Sequence, residues 1–106
     1  MTSIPKTYVK EFTRNWFGLH VQENSERFAK ANRLTTSKGM VVMKVIPNSA
    51  AGKIGINPGD IIRQLNQKRV DNEEAYNRAV EDINNPDRIL LLVQRGRQGY
   101  YVTLEP

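Results

Sequence analysis

The sequence predicts an α+β domain that is mainly β. Short runs rich in β-branched and aliphatic residues recur along the chain, as strands require, while a single longer stretch carries apolar residues at helical spacing. Gly, Pro and Asn separate these segments, as is typical of turns. With 106 residues, of which 39% are hydrophobic and 25% charged, the chain fits one globular domain. The five predicted strands are residues 19–22, 40–46, 61–65, 88–94 and 100–104.

The first strand and the first helix are predicted from a change of pattern near residue 24. Residues 19–22 alternate apolar and polar side chains, as a half-buried strand does. Ser25 then offers a side-chain oxygen to cap a short helix, whose apolar residues include Phe28 and Ala29. We expect the folded domain to span residues 15–106, with residues 1–14 as an N-terminal tail or strap.

The second strand, residues 40–46, ends at Pro47, because proline cannot donate a hydrogen bond to a neighbouring strand. Small residues then predict a tight helical corner, and Pro58-Gly59-Asp60 predicts a turn before the third strand. A carboxylate at such a turn usually accepts hydrogen bonds from nearby backbone amides. We therefore interpret Asp60 as structural and not catalytic.

The main helix is predicted after the third strand and an Asn66-Gln67 turn, with Asp71 or Asn72 as its cap. The sequence Asn84-Asn85-Pro86 ends it. Its apolar residues recur at i, i+3, i+4 and i+7, so one stripe should pack on a sheet. These residues are Tyr76, Ala79, Val80 and Ile83.

The last two strands are predicted to form a hairpin. Residues 88–94 and 100–104 are separated by Arg95-Gly96-Arg97-Gln98-Gly99, in which two glycines can adopt positive φ. This predicts a five-residue loop.

Charge and hydrophobicity argue against nucleic-acid and membrane partners. The formal net charge is +5, but basic residues are scattered and mixed with acidic ones, and no stacking aromatic motif accompanies them. The longest apolar run, residues 89–93, is far shorter than the roughly 20 residues of a membrane-spanning helix. Residues 1–10 lack the apolar run of a signal peptide, so we expect any export signal to lie upstream.

Residues able to perform catalysis or bind metals are scarce. His20 is the one histidine, cysteine is absent, and no serine sits in a Gly-x-Ser-x-Gly elbow. Neighbouring acidic pairs such as Glu73-Glu74 are more simply solvated helix faces than metal ligands. We expect no cofactor, no metal and no catalytic triad in this chain.

Four segments in register resemble the PDZ domain of HtrA (Deg, or Do-like) serine proteases, in particular the C-terminal PDZ domain. The segments are Trp16-Phe17-Gly18-Leu19, the corner from Pro47 to Asp60, the helix from Val70 to Ile83, and residues 88–96. The resemblance implies a half-open antiparallel barrel of five to six strands capped by two helices, in the circularly permuted bacterial form. It also implies a parent protein that is a serine endopeptidase of the periplasm or cell envelope, with its protease domain N-terminal to this segment.

The resemblance implies a peptide-binding site between the first strand and the main helix, where a ligand lies as an added antiparallel strand. The terminal carboxylate of the ligand would meet the backbone amides around Phe17, Gly18 and Leu19. Its last side chain would enter a slot between Phe17, Leu19, Val21 and Val80. Arg14 could steer the carboxylate. The predicted peptide-binding residues are Trp16, Phe17, Gly18, Leu19, His20, Val21, Glu73, Asn77 and Val80.

The sequence departs from many PDZ domains at two positions. The loop at Trp16 lacks a second glycine, and the helix begins with Glu73 where a histidine often lies. Internal unfolded segments are therefore possible ligands beside C-termini. Glu73 also predicts a polar or basic preference at the ligand residue two before the end.

Three functional hypotheses remain open at this point. The leading one is a peptide-binding module of an HtrA-like protease, with substrate proteins and the protease domain of the same parent protein as partners. The second is a PDZ domain of a secretion or assembly protein that mediates subunit contacts without a protease. The third, a basic nucleic-acid binder, would show an affinity that falls linearly with the logarithm of salt concentration.

Overall fold

The computed structural model describes residues 8–105 and shows one six-stranded antiparallel sheet. The path through the sheet is β1-β2-β3-β5-β6, and the short β4 pairs with β3. The strands are β1 (Leu19–Glu23), β2 (Met40–Val45), β3 (Ile61–Leu65), β4 (Lys68–Arg69), β5 (Ile89–Arg95) and β6 (Gln98–Leu104). The helices are α1 (Val9–Phe12), which continues as a π-helical turn (Thr13–Phe17), then α2 (Glu26–Ala31), α3 (Ala50–Lys53) and α4 (Glu73–Glu81). The mainly β fold class is confirmed.

The helix caps were predicted well because their signals are local. Ser25 Oγ accepts a hydrogen bond from the Phe28 N–H at 3.0 Å, and Asn72 Oδ1 accepts one from the Ala75 N–H at 2.8 Å. Asn66 and Gln67 both have positive φ, as the predicted turn between β3 and β4 requires. The apolar stripe of α4 is buried as expected.

Several predicted strand ends differ from the structure by one or two residues, and two differences involve a turn. Helix α4 ends at Glu81, and Ile83 follows in a tight turn in which its N–H bonds to the Val80 carbonyl. The predicted five-residue loop between the last strands is wrong. Arg95 pairs directly with Gln98, so Gly96 and Arg97 form a two-residue turn and Gly99 belongs to β6.

A helix includes residues 9–14 of the segment that the sequence assigned to an N-terminal tail or strap. We call α1 together with its π-helical turn the N-terminal helix. Val9 and Thr13 on this helix are only 3% and 2% exposed, so the segment packs against the domain as a strap would. Residues 1–7 lie outside the described residues, and the domain boundary at residue 15 stays a prediction.

The Pro58-Gly59-Asp60 corner is held by a buried carboxylate. Asp60 Oδ2 accepts the Asn57 N–H at 2.9 Å, which confirms the predicted backbone bond. The Arg95 guanidinium also donates to both Asp60 oxygens, at 2.9 and 2.8 Å, and lies over the ring of Tyr100. Burial raises the pKa of Asp60, but the bonds from Arg95 and Asn57 outweigh it and hold the pKa below its usual value. Asp60 thus joins the corner to the β5–β6 hairpin.

Within residues 8–105, no helix is both long enough and apolar enough to cross a bilayer.

Candidate functional site

A groove of about 450 Å³ lies between β1 and the first turns of α4, and the N-terminal helix forms its third wall. Strand β1 contributes all of its residues, Leu19–Glu23, and Met40 of β2 also lines the groove. The other two walls are formed by Glu73, Tyr76 and Asn77 of α4 and by Val9, Lys10, Glu11, Thr13 and Arg14 of the N-terminal helix.

Strand β1 lies at one end of the sheet. It pairs with β2 along one side, and within residues 8–105 no strand pairs with its other side. A register shift between His20 and Val21 marks a bulge, a feature that is common at sheet edges. Leu19 points into the core, Val21 is half-buried, and His20 is exposed. The backbone groups on the outer side of β1 therefore border the groove.

Gly18 connects the N-terminal helix to β1 and lies directly against Ser49. Its φ is +85°, which favours glycine, and a Cβ built on it would lie 2.1 Å from the Cβ of Ser49. Ser49 cannot easily give way because its Oγ caps α3 and bonds to the Ile46 carbonyl. Glycine is therefore favoured at this position for two physical reasons.

The backbone amide of Gly18, which the sequence assigned to ligand binding, already has a partner. Its N–H donates to the Thr13 carbonyl at 3.0 Å, closing the π-helical turn. The Gly18 carbonyl accepts the Ile46 N–H at 2.9 Å. Both backbone groups of Gly18 are thus satisfied within the domain.

The predicted apolar slot is filled in this structure. Phe17, Leu19 and Val80 are 0%, 1% and 0% exposed and belong to one buried cluster, which also includes Val9 of the N-terminal helix. Only Val21, the fourth slot residue, is half-buried. The part of these side chains in ligand binding stays a prediction.

The N-terminal helix is bonded to α4 by a buried pair of hydroxyl groups. Thr13 Oγ1 lies 2.8 Å from the Tyr76 hydroxyl, although the two residues are 63 positions apart. Burial raises the pKa of Tyr76, so the phenol is neutral at physiological pH. Tyr76 is a core residue, as predicted, and also forms part of the groove wall.

Trp16 lies outside the groove. Its indole N–H donates to the Pro86 carbonyl, and its ring stacks on Phe12 with centroids 5.9 Å apart. These contacts attach the end of the N-terminal helix to the α4–β5 connection. A direct contact of Trp16 with a peptide stays a prediction.

Charged groups of both signs line the groove, and the N-terminal helix carries Glu11 beside Lys10 and Arg14. The Glu23 carboxylate accepts the Glu73 N–H at 2.6 Å, so two acidic residues meet where β1 ends and α4 begins. Lys10 and Arg14 lie on the N-terminal helix, and both are exposed. The structure places Arg14, Glu73 and Asn77 on the groove, and their part in ligand binding stays a prediction. No group of three or more His, Asp or Glu side chains able to hold a metal occurs among residues 8–105.

Comparison with known sequences adds an independent observation. The model of the PDZ domain family matches residues 7–94. The probable periplasmic serine endoprotease DegP-like of Chlamydia pneumoniae is 34% identical over 90 residues, which are 84% of this chain and 18% of that protein. The periplasmic serine endoprotease DegP of Salmonella typhimurium is 31% identical over 113 residues, covering 97% of this chain and 24% of that protein. The chain thus spans about a fifth to a quarter of these relatives.

Solved structures share the fold. The crystal structure of the HtrA3 PDZ domain bound to a phage-derived ligand, FGRWV, superposes with a TM-score of 0.70 at 26% identity, covering 85% of this chain and 82% of that one. The HtrA-type protease AlgW with a decapeptide superposes with a TM-score of 0.73 at 24% identity, covering 85% of this chain and 28% of that one. At that identity, the second match shows the fold alone.

Proposed function

Because the chain belongs to the PDZ domain family and is homologous to the PDZ regions of DegP and HtrA proteases, we propose that it is a peptide-binding module of an HtrA-like serine protease. It binds extended segments of substrate proteins as an additional antiparallel strand on β1. The protease domain of the parent protein supplies the hydrolysis, and this module supplies the binding.

The single observation that carries the proposal is the free edge of β1 beside the groove. An edge strand presents N–H and C=O groups that can pair with another extended chain. Such backbone pairing depends little on ligand sequence, so it suits a module that meets many unfolded proteins. The groove beside the edge then receives alternate side chains of the ligand and supplies selectivity.

The relatives support the same reading. The HtrA3 PDZ domain, which matches 85% of this chain, was solved with a peptide ligand. The two relatives described above, from Chlamydia pneumoniae and Salmonella typhimurium, are named as periplasmic serine endoproteases, so we place the parent protein in the periplasm or cell envelope. A module that binds unfolded segments there would hold substrates near the catalytic domain.

NMR titration tests the proposal. We expect unstructured peptides to shift the amide signals of Leu19–Glu23 and of Glu73 to Asn77, with an affinity near the micromolar range. The other sheet edge, β6, serves as an internal control and should not respond. The proposal fails if diverse peptides leave the β1 signals unchanged at millimolar concentration, or if they shift β6 instead.

Charge reversal at Glu73 should weaken the binding of basic peptides. Glu73 lines the groove, whereas its neighbour Glu74 does not. An exposed ion pair contributes up to about 1 kcal/mol, so Glu73→Lys should raise the Kd of a lysine-containing peptide about fivefold. Glu74→Lys makes the same change in net charge and should leave the Kd unchanged. Fluorescence polarisation measures both Kd values. If the two substitutions raise the Kd equally, the net charge of the domain determines the affinity and the position of Glu73 in the groove does not.

A further inference from the structure

Strand β6 lies at the other end of the sheet, and within residues 8–105 no strand pairs with its outer side. We propose that this edge pairs with β6 of a second copy of the chain, antiparallel and about a twofold axis at Tyr101. The two sheets then join into one, and β1 of each copy stays open at the outer ends. The proposal concerns self-association and does not depend on peptide binding at β1.

The first argument is that β6 lacks the features by which sheet edges usually avoid pairing. Edge strands are commonly very short, carry a charged residue or a proline, or contain a bulge. Strand β6 is seven residues long, Gln98–Leu104, and contains no charged residue and no proline. Its pairing with β5 runs through every position without a register shift. The strand is therefore well suited to pair with another strand.

The second argument concerns the direction of the backbone groups. A two-residue turn closes on a pair that exchanges backbone hydrogen bonds, and here that pair is Arg95 and Gln98. Because the direction alternates along a strand, Gly99, Tyr101 and Thr103 direct their N–H and C=O groups away from β5. Among residues 8–105, no loop bonds to the backbone groups of these three residues. They are therefore available to a second strand.

The third argument is that one register satisfies all three residues at once. When two copies of β6 pair about Tyr101, this residue faces its own counterpart, and Gly99 faces Thr103 of the second copy. Each pair can exchange hydrogen bonds, since both members direct their backbone groups outward. A shift by two residues, the smallest that keeps such pairs, would place Gly99 or Thr103 opposite a residue outside the strand.

The side chains of β6 also match across this axis. Tyr101 is 61% exposed, more than any other large apolar residue among residues 8–105. In the dimer the two Tyr101 rings lie side by side on one face of the sheet. On the other face, the half-buried Tyr100 lies opposite Val102 of the second copy. Aromatic pairs and pairs of an aromatic with a β-branched residue both stabilise strand pairing.

Charge complementarity identifies a second copy as the occupant of this edge. The same register places Arg97 of one copy beside Glu105 of the other, and the twofold axis repeats the contact at the opposite end. Both side chains are exposed, and within residues 8–105 neither forms an ion pair. An unrelated strand would need opposite charges at both matching ends, whereas a second β6 already carries them.

Analytical ultracentrifugation of the peptide-free chain tests the proposal. One strand pair buries less surface than a standard interface of about 1,600 Å², so we expect a weak dimer that is populated at about 0.5 mM protein. Salt at about 0.15 M screens the net charge of +5 on each copy. A chain that stays monomeric at about 1 mM overturns the proposal and leaves the β6 edge to a strand of another protein. Peptide binding at β1 would be unaffected by that result.

A charge on the twofold axis should prevent the pairing. Tyr101→Lys changes an exposed side chain and brings two lysines together, so the Kd of the dimer should rise about tenfold or more. Met43→Lys is the control, because Met43 is also an exposed apolar residue but lies on β2, which is not an edge strand. It should leave the Kd unchanged. Equal effects of the two substitutions, or an unchanged dimer in Tyr101→Lys, would show that the copies meet elsewhere and would overturn the proposal.

Exchanging the end charges tests the register. Arg97→Glu and Glu105→Arg each place like charges together, so each should raise the Kd of the dimer about fivefold. The double variant keeps the net charge of the wild type and should restore the Kd to within about twofold of it. If the double variant dimerises no better than the single variants, the two strands do not pair about Tyr101 and the proposal fails.

Discussion

Gly18→Ala is expected to destabilise the domain by about 3 kcal/mol or more, the largest effect of any single methyl group that we predict. Two costs add. The left-handed backbone conformation at φ +85° disfavours any residue with a Cβ, by about 1–2 kcal/mol. The new Cβ would also lie 2.1 Å from the Ser49 side chain, so the cap of α3 would have to move. Urea unfolding followed by circular dichroism measures the loss.

Gly55→Ala is the matched control for this prediction. Gly55 has nearly the same φ, +88°, but no atom lies within 4 Å of a Cβ built there. Its substitution should therefore cost only the conformational part, about 1–2 kcal/mol. Equal losses in the two variants would show that the contact between Gly18 and Ser49 has no energetic weight.

Asp60→Asn is expected to cost about 2 kcal/mol at neutral pH. The Asp60 carboxylate is 3% exposed and accepts bonds from Asn57, Arg95 and Tyr100. An asparagine amide keeps one acceptor but turns its NH₂ group toward these donors, so at least one of them loses its partner. Because Arg95 is half-exposed, water can solvate part of the freed guanidinium, which keeps the loss below that of a fully buried pair.

The effect of Asp60→Asn should depend on pH in a defined direction. The pKa of Asp60 is lower in the folded protein than the value of about 3.9 expected in the unfolded chain. Its stabilisation is therefore fully present above pH 5 and is lost as the pH falls through the folded pKa. We expect the gap in unfolding free energy between wild type and variant to be constant from about pH 5 to 8 and to shrink below about pH 4.

Asp82→Asn provides the control for that pH dependence. Asp82 pairs with Lys68 at the surface, and both side chains are about half-exposed. Its substitution should change the unfolding free energy by no more than about 0.5 kcal/mol at any pH. If the difference in unfolding free energy between wild type and Asp60→Asn grows as the pH falls, Asp60 is not the charged, hydrogen-bonded group described here.

Local patterns were sufficient to predict most of the fold. The caps at Ser25 and Asn72 and the turn at Asn66-Gln67 depend on neighbouring residues only, and β3 was predicted with its exact bounds. The hairpin turn at Gly96 was misjudged because two glycines fit either a long loop or a short turn. Pairing of Arg95 with Gln98 decides between them, and this pairing is set by the whole strand register.

The N-terminal helix was missed although a signal was present. Val9, Thr13 and Phe17 recur every four residues, which is the spacing of a helix face. Threonine is a poor helix former and is polar, so the stripe looked interrupted. The burial of Thr13 depends on a hydrogen bond to the Tyr76 hydroxyl, and Tyr76 is 63 residues away in the sequence.

The same distant contact explains why only part of the site could be predicted. The walls at Leu19–Glu23 and at Glu73 and Asn77 follow from strand and helix periodicity, and the structure places all of them on the groove. Whether the apolar slot is open depends on the packing of the N-terminal helix. No pattern within residues 17–21 encodes that packing.

Amide hydrogen exchange in the presence of a saturating peptide tests the central claim most directly. If a ligand pairs with β1, alternate amides within Leu19–Glu23 gain new hydrogen-bond partners and should exchange more slowly, while those of β6 keep their free rates. Unchanged exchange along β1 with the peptide bound, or protection confined to β6, would contradict the claim that β1 is the docking edge.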